Sequence, residues 1–488
     1  MLHPGRPIPL TLLWLLAAIA PAAATATEPA ASFFRPNIVL ILSDDEDLAS
    51  HAYMPKTRAL VEEQGVSFGN FFVSYSFCCP SRATILRGQY PHNHRIEGNE
   101  WPTGGFEKFR ALGHESSTIA TWLHAAGYRT ALLGKYLNGY LPERHEPAPG
   151  WDEWFVTGGT FSNYNYTINH NGELIRHGNA PEDYLTDVLG TEAVGIIERA
   201  AAHEQPLFMI VAPYNPHSPA TPAPRHEGLF ADVAMPKPPS FDEPDVGDKP
   251  AAIRKTPRLA EWQKKAIEEH YRDRLRSLQS VDDTVERIVK ALEATGQIGR
   301  TYLVYSSDNG FHMGQHRLFV GKTTAYEEDI RAPLIVRGPG VPAGEKRDQL
   351  VLNNDLAPTF AAMAGVEPPG FVDGRSFLPL LHDGKLPWRR SFLIERREME
   401  THEITGPAIF DAIRTADSIL IRYGTGETEY YDLNRDPFEL VNRIDQVDPA
   451  LLNSLTRRLA ELTSCASYNC QELEDQRIEP MWSPSAQK

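Results

Sequence analysis

Five short apolar runs, each closed by turn-forming residues, recur through the first three quarters of the chain: 37–42 (NIVLIL), 130–133 (TALL), 207–212 (LFMIVA), 301–306 (TYLVYS) and 333–336 (PLIV). They are too short for ordinary helices and lack a polar residue at every second position, so they predict strands buried on both faces. Between them the apolar spacing lengthens to three or four. Residues 118–126, 187–201 and 261–295 predict helices, and in the last of these Leu275, Leu278, Val281, Val285, Ile288 and Leu292 form one stripe. Strand and helix alternate, which predicts an α/β fold: a mostly parallel sheet flanked by helices on both faces, with ligands beyond the carboxyl ends of the strands. After residue 373 only shorter segments remain, at 392–395, 412–414, 419–423 and 429–432, and they predict a small antiparallel sheet. The expected organisation is a larger domain over 33–385 and a C-terminal subdomain over 386–488. Residues 220–257, rich in Pro, Asp and Lys, predict a long surface excursion at the rim of the site.

The N-terminus departs from this pattern. Arg6, the apolar run 10–20 (LTLLWLLAAIA) and the small residues through Ala24, Thr25 and Ala26 predict an export signal over 1–26, the run being too short for a membrane anchor. No later window is apolar enough to span a bilayer, so no stable membrane association is expected. Export implies an oxidising compartment, where Cys465 and Cys470 predict a disulfide closing a short polar loop. Cys78 and Cys79 differ, because bridging adjacent residues forces a strained ring; at least one of them is expected to have another role or to be buried.

Composition narrows the function classes. With 41% hydrophobic and 23% charged residues among 488, the chain is an ordinary folded protein and not a disordered one. Its 48 basic and 64 acidic residues give a net charge of −16, the wrong sign for a nucleic-acid binder. An anionic substrate therefore has to be held by a local cluster of cationic side chains or a metal.

The residues that follow the apolar runs are polar. Ser43-Asp44-Asp45, Gly134-Lys135, Pro213 through His217, and Ser307-Asp308-Asn309-Gly310 each end a predicted strand. In a parallel sheet Asp44, Asp45, Asp308 and Asn309 converge, an all-oxygen set suited to Ca²⁺ or Mg²⁺ and without the His and Cys that zinc prefers. The segment Cys78-Cys79-Pro80-Ser81-Arg82 adds a helix start, with Pro80 in the first turn and Gly88 as the stop. Cys78 then lies at a helix N-terminus that favours an anion, and Arg82 lies one turn later. Together these residues predict metal-assisted transfer of a phosphoryl or sulfuryl group, with Lys135, His217 and Lys322 as candidate partners.

The stretch CCPSRATILRGQYPHNHR resembles the signature of the Cys-type sulfatases, in which the first Cys of C-x-P-S-R is oxidised to formylglycine. The resemblance spans most of the chain after the leader, through RPNIVLILSDDED, GKYLNGY, NYNYTINHNGELIRHG, DYLTDVL, APYNPHSP, SVDDTVERIVKALEATG, YSSDNGFHMGQHRL and the Cys465/Cys470 pair, and it points to the N-acetylglucosamine-6-sulfatase branch. It implies an alkaline-phosphatase-like sandwich whose catalytic domain is the 33–385 unit. It also implies Ca²⁺, ahead of Mg²⁺, held by Asp44, Asp45, Asp308, Asn309 and the formylglycine made from Cys78. A formylglycine-generating enzyme is an implied partner, and a sulfated carbohydrate, best matched by 6-O-sulfated N-acetylglucosamine in a glycosaminoglycan or related glycan, is the implied substrate. Arg82 corresponds to the residue that stabilises the hydrated aldehyde; Lys135, His217 and Lys322 correspond to groups around the sulfate and the leaving oxygen. On that scheme the hydrate attacks sulfur, His217 protonates the departing sugar oxygen, and the second hydroxyl lets sulfate leave by C–O cleavage.

One departure stands out. Many arylsulfatases have Lys-x-His where this chain has Lys135-Tyr136-Leu137-Asn138, so the base for the elimination step has to be sought elsewhere, with His92, His94 and His312 as candidates. Other residues have plain roles beside functional ones: Cys79 as a buried small side chain, Asn165-Tyr166-Thr167 as a glycosylation sequon in a loop, Trp101, Trp151 and Trp154 as packing anchors or sugar platforms, and His177 as a surface or substrate-facing histidine. Competing expectations are an arylsulfatase of other specificity or a phosphonate or phosphodiester hydrolase of the same superfamily, and a non-catalytic binder of sulfated glycans. An exported, secreted, periplasmic or lysosomal location follows from the leader.

Overall fold

The computed structural model describes residues 1, 2, 5, 35–397 and 409–478. The chain divides into two compact units, Met1–Phe34 and Arg35–Lys488, and the second carries the elements below. The export signal expected over 1–26 falls outside the described residues except at 1, 2 and 5.

The predicted strands meet in a ten-stranded sheet. From one edge to the other its order is Glu345–Arg347, Val66–Phe68, Leu334–Arg337, Thr301–Ser307, Asn37–Ser43, Leu207–Ala212, Arg129–Lys135, Glu153–Thr157, Thr167–His170 and Glu173–Arg176. The five strands from Thr301–Ser307 to Glu153–Thr157 run parallel. In the central strand alternate residues serve opposite faces. Ile38, Leu40 and Leu42 pack with Ile85, Leu123 and Phe360, whereas Val39 and Ile41 pack with Leu189, Ile197, Leu278 and Val285. Both faces are dry, which is why these strands read as continuous apolar runs. The helices behind them are Cys78–Arg87, Ile119–Ala125 and Leu356–Met363 on one face, and Leu185–Ala202 and the 34-residue Glu261–Ala294 on the other.

The run at 333–336 is a buried strand, but it pairs antiparallel with Thr301–Ser307. The connection from Ser307 to Leu334 is built from the short strands His312–Met313 and Val320–Gly321 and the four-residue helix Glu327–Ile330, with no long crossover helix to carry the chain back to the start of a parallel strand. The C-terminal segments form the antiparallel sheet that their short alternating pattern predicts: Ser391–Arg396, Phe410–Thr415, Ser418–Tyr423 and Thr428–Asp432, in that order. Residues 398–408, between the first two, are outside the described residues. The helix Pro449–Leu462 covers this sheet; the Asp448 side chain accepts from the Ala450 and Leu451 N–H groups and satisfies its first turn. Cys465 and Cys470 form a disulfide with 5.0 Å between their Cα atoms.

The excursion at 220–257 is less superficial than its composition suggests. Phe241 makes a bridge with Gln315, the Asp242 N–H donates to Gly314 O at 2.8 Å, and Val246 and Ile253 join the apolar cluster under the C-terminal sheet. Buried Lys249 donates to the Tyr431 hydroxyl at 2.9 Å. The polar residues of this segment have partners inside the protein, so composition alone misreads them as solvent-facing.

Candidate active site

Strand register brings the acidic motifs together. Ser43 lies opposite Ser307 in the parallel pair, so the chain leaves the sheet edge at Asp44-Asp45 and Asp308-Asn309 side by side. The Asp308 N–H donates to Ser43 O at 3.2 Å and the Asp45 N–H donates to the Asp308 carboxylate at 3.0 Å. On the other side the Asp44 N–H donates to Asn215 O at 3.1 Å, which ties in the loop carrying His217. Gly134 pairs with Ala212 at a φ of +95°, and a Cβ there would lie 2.2 Å from Ala212 O, so glycine permits the close approach that ends in Lys135.

The helix Cys78–Arg87 supplies the remaining groups. It starts at Cys78 and stops at Gly88 (φ +68°), whose N–H donates to Thr84 O at 2.8 Å, as Pro80 and Gly88 predict. Every residue in it is buried. The Cys79 N–H donates to the Asn99 side chain at 2.9 Å, and Ser81 Oγ donates to Asp308 O. Cys78 and Cys79 are both buried and neither is in a disulfide.

Charge is concentrated around Cys78 Sγ. Lys322 Nζ lies 2.7 Å from it and the nearer Asp44 oxygen 3.7 Å. Lys322 also donates to Asp45, Lys135 Nζ to Asp44 at 2.6 Å, and Arg82 Nε to Asp308 at 2.8 Å. Arg82 Nη1 donates to Lys135 O at 3.2 Å, and Nη2, 3.8 Å from Asp44, is buried with no hydrogen-bond partner. His217 donates through Nδ1 to Ser218 O at 2.7 Å, which leaves Nε2 facing Asp45 at 3.6 Å, and its ring stacks on Phe161 at 4.2 Å.

These contacts set the protonation states. Burial pushes the Asp44 carboxyl up, but Lys135, His217, Arg82 and Lys322 outweigh it and hold it well below the usual range; Lys322 and His217 lower Asp45 against the same penalty. Asp308 goes the other way, because burial and the neighbouring Asp44 raise it more than Arg82 lowers it. Burial lifts the Cys78 thiol further than Lys135 and Lys322 lower it, so an unmodified Cys78 is protonated at neutral pH and a poor nucleophile.

The oxygen donors also fit a hard cation. Asp44, Asp45 and Asp308 present carboxylates, and Asn309 Nδ2 donates to Asp45 at 2.8 Å and to Gly310 O at 2.8 Å while its Oδ1 is buried without a partner. Atoms of Asp44, Asp45, Cys78 and His217 lie within 4.8 Å of one another.

Of the three candidate histidines, two are used structurally. His92 is held by Glu395 at 2.7 Å and Cys465 O at 2.9 Å, and His94 by Thr84 Oγ1 at 2.9 Å and the Ile96 N–H at 3.0 Å. His312 donates through Nδ1 to Asp329 and keeps a buried, unpartnered Nε2; it lies opposite Gly321, next to Lys322. A cavity of about 600 Å³ opens beside Lys135 and is lined by Trp101, Asn138, Tyr140, Phe161 and Tyr214. A larger cavity of about 860 Å³, lined by Arg389, Tyr430 and Leu455, contains none of the site residues. Trp101 is 64% exposed, whereas Trp154 is buried and donates to the Tyr140 hydroxyl, and Trp151 stacks on Phe208. His177 stacks on Tyr166, and Asn165 is exposed.

Two site residues escape the sequence reading. His270 contacts Ser218 Oγ at 3.4 Å, and burial together with Arg274 and His217 lowers it to about 4, so it is a neutral neighbour of the His217 loop. Arg274 is wholly buried; it donates to Asp45 O at 2.5 Å, Asp47 at 3.1 Å and Pro216 O at 3.3 Å, joining the Asp45 turn to the His217 loop. A signal for it existed: Ile267, Tyr271, Arg274, Leu278 and Val281 share one helical stripe, and Arg274 is its one charged member. Arg274→Met is expected to cost about 3–5 kcal/mol in chemical denaturation, because it strands the Asp47 carboxylate and two carbonyls; an unchanged midpoint would show that the contacts are incidental.

Three buried cations, Lys322, Lys135 and Arg82, gathered with Asp44, Asp45 and Asp308 beside Cys78 suit an ester whose oxygens carry negative charge, and on this α/β scaffold they define an ester hydrolase of the alkaline-phosphatase-like class. Residues 36–366 match the family described as Sulfatase, and 314–464 match the N-sulphoglucosamine sulphohydrolase C-terminal family. The chain belongs to the sulfatase family and is a sulfatase. It is 36% identical to the N-acetylglucosamine-6-sulfatase of Homo sapiens over 483 residues, covering 90% of this chain and 87% of the relative. A solved protein bound to its substrate D-glucosamine-2-N,6-O-disulfate superposes with a TM-score of 0.77 at 24% identity, covering 90% of this chain and 99% of the other. A phosphonate monoester hydrolase from Silicibacter pomeroyi superposes with a TM-score of 0.69 at 23% identity, covering 87% and 93%. At those identities the two structures report on fold alone.

Proposed function

We propose that this sulfatase removes the 6-O-sulfate from N-acetylglucosamine residues of a glycosaminoglycan or related glycan, after a formylglycine-generating enzyme has converted Cys78. The observation that carries the reading is the buried Cys78, with Lys322 Nζ 2.7 Å and Asp44 3.7 Å from its sulfur and Lys135 paired to that Asp44, a setting that gathers the charges a sulfate ester needs. The sequence relationship to the human N-acetylglucosamine-6-sulfatase supports the sugar. The converted residue supplies, as its hydrate, the attacking oxygen and the second hydroxyl through which sulfate departs. Asp44, Asp45, Asp308 and Asn309 would hold Ca²⁺, in preference to Mg²⁺, and the ion would neutralise sulfate charge.

The chain's own groups have separable tasks. Lys135 and Lys322 orient sulfate oxygens and counter their charge. Arg82 braces Asp308 and Lys135 and offers its unpartnered Nη2 to the residue-78 side of the site. His217, with Nδ1–H committed to Ser218 O, has Nε2 as the atom that hands a proton to the leaving sugar oxygen. Phe161 fixes that ring and closes one wall of the cavity, while Trp101 offers an exposed face to the sugar. Of the three candidate histidines we assign the elimination step to His312, since its Nε2 has no partner and it lies opposite Gly321, the residue before Lys322. We assign 33–385 as the catalytic domain and 386–488 as the C-terminal subdomain, and the leader with the Cys465–Cys470 bridge supports an exported protein.

Sulfate and phosphate esters of the same alcohol test the class: faster turnover of the sulfate is expected, and preference for the phosphate or phosphonate would overturn it. Chelation of the metal should reduce sulfate release at least tenfold, roughly 1.4 kcal/mol or more of transition-state stabilisation, with Ca²⁺ restoring it better than Mg²⁺. Full activity after chelation, with metal analysis showing none bound, removes the cation from the mechanism.

A further inference from the structure

Away from Cys78, a second cluster of buried donors joins three parts of the chain. A ring nitrogen of His316 and one carboxylate oxygen each of Glu328 and Glu439 lie within 4.8 Å of one another. His316 Nδ1 donates to Glu243 Oε2 at 2.7 Å, so its Nε2 is the nitrogen left for a ligand, and that atom is buried with no hydrogen-bond partner. His316 is 0% and Glu439 1% exposed, and Glu439 Oε1 is likewise buried and unpartnered.

The surroundings are built to hold these atoms. The His316 ring is stacked on Tyr326 at 4.1 Å. Glu439 adopts a positive φ of 54°, and its Oε2 accepts the Glu327 N–H at 3.0 Å, which leaves Oε1 as the other oxygen. Glu328 is positioned by Ser240 Oγ at 3.2 Å. A histidine whose far nitrogen is fixed by a carboxylate is the common arrangement of a metal-binding imidazole, because the carboxylate sets the tautomer and raises the basicity of the other nitrogen.

We propose that His316, Glu328 and Glu439 form a second metal site, distinct from the Asp44/Asp45 centre, that takes a divalent transition ion, best zinc. One imidazole with two carboxylates and no thiolate is a borderline set that suits Zn²⁺ better than the oxygen-only ions Ca²⁺ and Mg²⁺. His316 and Glu328 flank Lys322 in the chain while Glu439 follows the last strand of the C-terminal sheet. The ion therefore staples the Lys322 segment to the C-terminal part, with Glu243 from the 220–257 excursion as its outer support. The role is structural and independent of the reaction at Cys78.

The test uses the full chain as Cys78→Ala, saturated with Ca²⁺ so that the first centre cannot compete, and dialysed against a slight excess of Zn²⁺. Expected are about one equivalent of retained zinc, a higher melting temperature than in Ca²⁺ alone, and an anomalous difference peak at the zinc edge between His316, Glu328 and Glu439. His316→Phe, which keeps the ring packing on Tyr326, and Glu439→Gln should each lose the zinc and the zinc-dependent rise. No retained zinc, or a peak elsewhere, overturns the proposal. If the variants fail to fold, the anomalous map of the Cys78→Ala chain still decides.

Discussion

Cys78→Ala is expected to reduce sulfate release from N-acetylglucosamine-6-sulfate to background, measured on protein co-produced with a formylglycine-generating enzyme and with Ca²⁺ present. On the proposed mechanism the substitution removes the atom on which the reaction depends and little else. Cys78 is buried, but the ions around it pair with one another as well as with sulfur: Lys322 with Asp45, Lys135 with Asp44, Arg82 with Asp308. The folded state should lose only about 1–2 kcal/mol from the deleted sulfur. Cys78→Ser sharpens the result. A serine hydroxyl that attacks sulfur forms an O–SO₃⁻ ester and releases the sugar, but it has no second hydroxyl through which sulfate can leave. The variant should therefore release no sulfate and, if it reacts at all, gain the mass of one SO₃ group. Wild-type turnover by either variant would sink the formylglycine reading; loss of turnover on this sugar by chemically confirmed formylglycine protein would sink only the substrate.

Arg82→Ala should be the most damaging substitution that leaves residue 78 intact. Arg82 is 3% exposed, bonds Asp308 through Nε and Lys135 O through Nη1, and lies 3.8 Å from Asp44. Without it two carboxylates and a carbonyl lose a buried cation that water cannot replace, at a cost of about 3–5 kcal/mol. On the proposed mechanism the same deletion also removes a positive group facing the reacting oxygens, typically worth about 10²–10³ in rate. Arg82→Lys separates the contributions: a single ammonium can still pair with Asp308 but cannot span Asp308, Lys135 O and the residue-78 side together. It should recover more of the denaturation midpoint than of the rate. A fully active Arg82→Lys enzyme would show that the guanidinium fork is dispensable.

Legibility in the sequence followed how local the physics was. The helix Cys78–Arg87 is marked at both ends, by Pro80 and Gly88, and it stands where those residues place it. The strands at 37–42, 207–212 and 301–306 were readable because both faces are buried and the code is a simple apolar run. Glu153–Thr157, Thr167–His170 and Glu173–Arg176 were not, because they are short and the last is largely exposed, so no periodicity separates them from loops. The direction of Leu334–Arg337 was not legible, since an apolar run says that a strand is buried and nothing about which way it runs. The sulfatase signature was legible as a motif, and the identity of the chain as a sulfatase with it.

By itself the sequence determined most of the elements, the apolar layers and the placement of Asp44, Asp45, Lys135, His217, Asp308 and Asn309 at or beyond strand ends. Each of those depends on neighbours a few residues away, through helix and strand periodicity and turn chemistry. Tertiary structure alone decided the Ser43–Ser307 register that sets Asp44 beside Asp308, the insertion of Arg274 from a helix more than two hundred residues on, and the commitment of His92 and His94 to structural bonds. It also decided which charges are buried together, and hence that Cys78 is a protonated thiol and Asp44 a carboxylate. Protonation depends on desolvation and on the distance to the nearest opposite charge, and both are properties of packing between segments far apart in the chain.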